Sequence, residues 1–429
     1  MPDLETMSDF ERIRQQLAER WQSRSPRELA NRLAEPLFGT AGDWDLPADV
    51  QPLRELLYLA VGIPDSDSLP RQQLAAASAR VYGQPGDLAL RYGFGQGPTS
   101  VRDWLARHRN QVEGAAVEAD WFQMTNGSSG AIDLVVRSII DPGDVIIAEN
   151  PTYMGTLHNF RGVGAEVRFV GVDRDGLLTD ELDRLIQEVR EEGKRVRLIY
   201  TISAFHNPTG YTLSLARRKA LLEVALRHDV LILDDEAYRE LWYETPPPQA
   251  LSVLAGGYGV VTVGSFSKTV ATGIRVGYLH ARPELLSLFD RMRFAMGQNQ
   301  LGLRAFGEFL SAGEYEPHLE RVRQIYRRKR DVLQAAMTRE VSDYLDWEMP
   351  EGGFYLWANL KQGMQVESLW RTAVEEGIAV NMGKGFSQPG TAPADCIRIA
   401  YAWTPIDQLE EAAVRLRLAC ERVVSGRAA

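Results

Sequence analysis

Between Trp121 and Leu279 seven short β-rich runs recur, most of them separated by segments of helical length: FQMT, DVIIAEN, EVRFVGV, VRLIYTI, VLILDD, VVTVGSF and RVGYLH. Strands alternating with helices call for a largely parallel sheet covered on both faces. Such a sheet presents ligands at the carboxyl ends of its strands. Two of the intervening helices are legible. Thr179 or Asp180 is placed to cap one carrying Leu182, Leu185, Ile186 and Val189, and Ser214 precedes one carrying Leu221, Leu222, Ala225 and Leu226. Upstream, Met1 to Leu69 is irregular: a polar amphipathic helix near Phe10 to Gln22, then Gly, Pro and Trp in mixed order. Beyond about Phe309 come a long charged helix, strands in EGGFYLWANL and DCIRIAYAW, and a helix from Pro405. The expected organisation is α/β: residues 1–69 as an arm and part of a smaller unit, 70–309 as the large domain, and 310–429 as a smaller α+β domain.

The chain of 429 residues, 45% hydrophobic, is long enough to bury a core without staples. Cys396 and Cys420 have no paired spacing, so neither a disulfide framework nor a cysteine-rich metal site is expected. No apolar run approaches the length of a membrane span, and the N-terminus has no leader-like h-region, which points to a cytoplasmic protein. A net charge of -10 argues against nucleic acid as a partner. The basic stretch Arg321 to Arg330 reads as a solvated helix face.

Each strand end carries a chemically pointed turn. After VVTVG come Ser265, Ser267 and Lys268, then Gly273-Ile274-Arg275-Val276-Gly277. An amine and a guanidinium seven residues apart suit a ligand with both an aldehyde and a phosphate: Lys forms an imine, and Arg grips phosphate with its planar fork. The strand LILDDEAY ends in acids. Such a carboxylate can hold a ring nitrogen protonated or cap a helix, and the three-residue offset to Tyr238 favours Asp235 over Asp234. Asn207-Pro208-Thr209-Gly210 is a tight turn whose amide can reach a ring oxygen. Asn126-Gly127-Ser128-Ser129-Gly130 opens an apolar helix, either as a glycine-rich cap or as an anion site. Tyr153, in a Pro turn, packs or stacks on a planar ring. In CIRIA, Arg398 points away from the face shared by Ile397 and Ile399 and needs a partner, an acid of the smaller domain or a ligand carboxylate.

TNGSSG, ENPTY, NPTG, DEAY, SFSK and GIRVG follow one another in the order found in fold-type-I aminotransferases of class I/II. From about Leu59 to the end, the chain resembles that family. The resemblance is greatest to the branch of 2-aminoadipate and kynurenine aminotransferases and to the aminotransferase-like domains of MocR regulators. It implies the pyridoxal-phosphate-dependent transferase fold, a large domain with a mixed, mostly parallel seven-stranded sheet beside a smaller α+β domain. Pyridoxal 5'-phosphate is the implied cofactor, with no metal. By motif match, Lys268 is the Schiff-base lysine and proton shuttle, Asp235 the partner of the pyridine nitrogen, and Tyr238 and Asn207 the partners of the ring oxygen. Tyr153 stacks on the ring. Ser128, Ser129, Ser265, Ser267 and Arg275 hold the phosphate, joined by Tyr92 from the neighbouring subunit of a homodimer with shared sites. Arg398 binds the substrate carboxylate, Asn207 also contacts the substrate, and the backbone of Gly62 lies near it.

The implied activity moves an amino group between an α-amino acid and a 2-oxo acid. A C–S β-lyase or another amino-acid-transforming enzyme would use the same groups, and a ligand-sensing domain would have lost the Lys or Asp present here. Met1 to Leu69 contains no recognition-helix pattern, so regulator function is not expected.

Overall fold

The β-rich runs come together in a single sheet. A computed structural model of the chain describes residues 9–21, 49–86, 88–93, 95–293, 297–388, 391 and 395–426. Residues 22–48 of the irregular arm therefore lie outside the described residues, whereas the amphipathic helix is present as Asp9–Trp21.

In spatial order the large sheet runs Phe122–Thr125, Gly277–His280, Val260–Ser265, Leu231–Asp235, Val196–Thr201, Val145–Asn150, Glu166–Asp173 and Gly176–Leu177. Gly277–His280 is antiparallel to both neighbours, and the central pairings are parallel. The eighth strand, beyond the seven expected, is a two-residue return antiparallel to Glu166–Asp173. Alternation divides the strand residues between two apolar layers. Ile146, Leu198, Leu233 and Val263 pack under helices Gly127–Ile139 and Pro283–Met292, while Val145, Ile199, Ile232 and Val260 pack under Thr179–Glu191 and Leu215–His228.

Ser214 caps its helix as expected, accepting from the amide of Arg217. The helix Thr179–Glu191 does not start as expected: Leu178 is its N-cap and no side chain caps it. Asp180 and Glu181 sit in the first turn, where their charge complements the helix dipole.

The smaller sheet is antiparallel, in the order Leu345–Trp347, Tyr355–Leu360, Cys396–Ala400, Asn381–Met382. Leu57–Tyr58 pairs in parallel with Ile378–Ala379, joining the start of the described chain to this C-terminal part. Helix Tyr315–Glu340 carries the basic stretch, and the expected solvated face is present in part: Arg321, Arg327 and Arg328 are exposed, but other basic residues turn inward. Lys329 and Arg330 are buried, Lys329 against Asp65 and Arg330 against Glu244 and Asp331, while Arg323 lies 4.0 Å from the Trp242 ring centroid. Long basic side chains bury their stems when their heads find acids, so charge alone did not place this face in solvent. Among the described residues, no helix is long and apolar enough to cross a membrane.

Candidate active site

The strand ends and the smaller sheet meet around a cavity of about 200 Å³. Asp235, the last residue of its strand, is buried on the same side as Tyr200. Its Oδ2 accepts from the Tyr200 hydroxyl at 3.1 Å and its Oδ1 from the amide of Ala237 at 3.1 Å. Burial pushes its pKa up to about 6, and the two donors and the charge of Lys268 restrain that rise. A carboxyl so placed gains from a cationic ring nitrogen, which would restore its ionised form. Asp234 points from the opposite face and is pushed to about 7 by burial and by Glu236. It does not line the cavity.

Lys268 follows the next strand, and its Nζ donates to the carbonyl of Gly62 at 2.7 Å, 5.7 Å from the centre of the Tyr238 ring. Gly62 is required where it stands, because a Cβ there would come within 2.0 Å of the Tyr355 hydroxyl. Burial raises the pKa of the Tyr238 phenol well above its usual value.

The anion end is built on the loop opening helix Gly127–Ile139, with Ser128 and Ser129 in its first turn. Gly127 has φ +73°, and a Cβ on it would lie 2.6 Å from Nη2 of Arg275. The guanidinium is held over the helix start by a bond from Nη2 to the carbonyl of Asn126 at 3.0 Å. An arginine fork over a helix start is an arrangement suited to a phosphate. The buried Ser267 Oγ has no hydrogen-bond partner, which leaves it available to a ligand. An acid with neutral hydrogen-bond partners, an amine, an orphaned hydroxyl and an arginine over a glycine cradle fit pyridoxal phosphate.

Arg398 closes the opposite wall at 2% exposure. It donates to Asn207 Oδ1 at 2.8 Å, to the Ala60 carbonyl at 2.8 Å and to Asn381 Oδ1 at 2.7 Å, and its Nε has no hydrogen-bond partner. The Tyr355 and Phe386 rings lie 4.5 and 4.4 Å from its carbon. All of these partners are neutral, so the alternative of an ion pair with an acid of the smaller domain is not realised among the described residues. Because Asn207 Oδ1 is taken, its Nδ2 is left to donate into the cavity.

Of the residues singled out in the sequence, Gly62, Ser128, Ser129, Tyr153, Asn207, Asp235, Tyr238, Ser267, Lys268, Arg275 and Arg398 line this one cavity. Ser265 does not. It stands behind, its Oγ accepting from the Ser267 amide at 3.1 Å. Tyr92 is 73% exposed and lies away from this chain's cavity. The sequence reading missed Tyr200, Tyr355, Ala60 and Ile63. Tyr200 in VRLIYTI and Tyr355 in EGGFYLWANL were visible as polar-tipped aromatics in apolar strands, which need hydrogen-bond partners when buried. A larger cleft of about 540 Å³, between Tyr58, Trp403 and Arg328, lacks this set of groups.

A family model described as "Aminotransferase class I and II" matches residues 54–416. The aromatic-amino-acid aminotransferase 1 of Thermococcus litoralis is 29% identical over 91% of this chain and 97% of its own length. The 2-aminoadipate transaminase of Thermus thermophilus is 32% identical over 84% of this chain and 89% of its own. Among solved structures, the α-aminoadipate aminotransferase of Thermus thermophilus, complexed with N-(5'-phosphopyridoxyl)-L-leucine, has a TM-score of 0.83 at 30% identity, covering 94% of this chain and 100% of the other.

Proposed function

The chain belongs to aminotransferase class I and II and is a pyridoxal-phosphate-dependent transferase; from that premise we propose how its residues divide the work. The bound cofactor supplies an electron sink for the substrate's α-carbon. Lys268 would hold the cofactor's aldehyde end through Nζ and, when that amine is free, would accept the substrate's α-proton there and pass it on to the carbon that gains it. Asp235 keeps the ring nitrogen protonated, Tyr238 and Asn207 Nδ2 donate to the ring oxygen, and Tyr153 covers the ring. Ser128, Ser129, Ser267 and Arg275 bind the phosphate, with Ser265 orienting Ser267.

Arg398 binds the α-carboxylate, so the substrates are α-amino acids and 2-oxo acids, not simple amines. The observation that carries this reading is the buried guanidinium held only by neutral partners, on a residue that lines the cavity shared with Lys268 and Asp235. A buried cation gains most from an anion that brings its own fork of oxygens.

The enzyme is further read as a cytoplasmic homodimer in which the partner's Tyr92 completes the phosphate site. The exposure of Tyr92 beside exposed Leu88 and Leu90, outside its own cavity, supports this. The acidic net charge supports the absence of nucleic acid as a partner.

The test is borohydride reduction of the purified enzyme with peptide mapping, followed by single-turnover reaction with a panel of α-amino acids. The label is expected on Lys268, with one 2-oxo acid released per site. Label on another lysine, or ammonia and pyruvate formed without an oxo-acid acceptor, refutes the assignment.

A further inference from the structure

Tyr355 touches three parts of the site at once. Its hydroxyl oxygen stands 2.7 Å from that of Tyr238. Its ring lies 4.5 Å from the guanidinium carbon of Arg398, which also has the Phe386 ring at 4.4 Å. Its phenol end fills the space beside Gly62, whose carbonyl accepts from Lys268 Nζ. The smaller sheet dictates this position. Tyr355 pairs with Ala400 and Trp357 with Arg398 across antiparallel strands, so Tyr355 and Arg398 are diagonal neighbours on one face. Tyr355 is 2% and Tyr238 4% exposed, so the pair of hydroxyls is buried.

We infer that Tyr355 is a positioning residue linking the two halves of the site: its ring fixes the plane of the Arg398 guanidinium, and its hydroxyl donates to Tyr238, freeing the Tyr238 proton for the cofactor's ring oxygen. A phenol has one proton, so Tyr238 can spend its own on the cofactor only if Tyr355 supplies the bond between them. A donor behind a donor strengthens the forward bond by polarisation, and a buried pair feels this most. The charged and titratable groups around the two phenols are Lys268, Asp235, Arg398 and Tyr153.

The inference rests on the roles proposed above for Tyr238 and Arg398, and two readouts separate its failure from theirs. The first is the pH midpoint of the visible absorbance of the reconstituted enzyme. The second is the affinity for 3-phenylpropionate, which carries a carboxylate but no amine. Tyr355→Phe keeps the ring and loses the hydroxyl. It is expected to raise the midpoint by about half a pH unit and to change phenylpropionate affinity less than about twofold. Tyr355→Leu is expected to show the same midpoint shift and to lose about tenfold in phenylpropionate affinity. In a Tyr238→Phe background, whose own midpoint is raised, Tyr355→Phe is expected to add nothing. An unchanged midpoint in Tyr355→Phe while Tyr238→Phe moves it overturns the inference alone. A shift undiminished in the Tyr238→Phe background, or equal loss of affinity in the Phe and Leu variants, also overturns it. If Tyr238→Phe itself leaves the midpoint unmoved, the role of Tyr238 falls and this inference with it.

Discussion

Two groups of buried charges stand side by side at the end of the strand Leu231–Asp235, and they are resolved in opposite ways. In one, Arg109 pairs with Glu113 and Glu236, and Arg239 with Glu113, so that two cations meet two anions. Burial alone would raise the pKa of Glu113, but Arg109 and Arg239 more than reverse that and hold it below the usual carboxylate value. In the other, Asp235 has neutral hydrogen-bond donors and Arg398 neutral acceptors, each opening on the same cavity. Glu236 and Asp235 are adjacent in sequence, so composition does not distinguish them. In the first group charge meets charge, even though Glu236 Oε1 and Arg239 Nη1 lack a hydrogen bond, whereas in the second each charge is held by neutral groups, an arrangement that suits a charge kept for a ligand.

Substitution on each side sharpens that contrast. With Asp235 in its proposed place opposite the ring nitrogen, Asp235→Ala should cost about a thousandfold in kcat, because its charge is buried and preorganised, while Asp234→Ala, on the other face, should cost far less. Rapid-mixing kinetics decides, and the reverse order would show that the wrong carboxylate has been assigned. Arg398→Ala is expected to lose roughly thirty- to a thousandfold in kcat/KM for amino acids, with cofactor affinity kept and little recovered by Arg398→Lys. Equal losses for an amino acid and its decarboxylated amine would remove the carboxylate role.

Within the paired group the outcome should invert. Arg109→Met leaves buried Glu236 with only the longer, 3.7 Å contact to Arg239, at a cost of about 3 kcal/mol in unfolding free energy, while kcat of the protein that remains folded stays within about threefold. A chemical-denaturation curve indistinguishable from the parent's would break the distinction between the two groups.

The smallest effect is expected at His318, which lies outside both groups. Burial pushes its pKa down to about 4, with Nε2 against the Thr269 carbonyl and Arg321 beside Nδ1. Between about pH 4 and 6.5 the unfolded chain therefore binds the proton that the folded chain refuses. This group's contribution is intact above that window and is lost as pH falls through it. His318→Gln should flatten the fall in Tm from pH 6.5 to 4.5 by a few degrees at most, whereas a steeper fall would mean that the sign is wrong. Asp235 acts in the opposite sense over about pH 4 to 6, since its raised pKa favours the protonated folded state as pH drops.

The chain's own order of residues determined a good deal. Strand and helix periods gave the parallel sheet, turn chemistry put Lys268, Asp235, Asn207 and Ser128 at its strand ends, and period-two alternation turned Arg398 away from Ile397 and Ile399. All of this is local, fixed by neighbours a few residues apart. What the three-dimensional arrangement alone decided is which buried groups meet. Tyr238 meets Tyr355 across 117 residues and Arg398 meets Asn207 across 191, while Lys329 is drawn out of an apparently solvated basic helix to Asp65, 264 residues away. The physical reason is that a polar side chain's period says which way it points, while its charge state and role depend on the partner that packing brings within hydrogen-bond reach. That partner is chosen by how elements far apart in sequence pack together, a property no local pattern encodes.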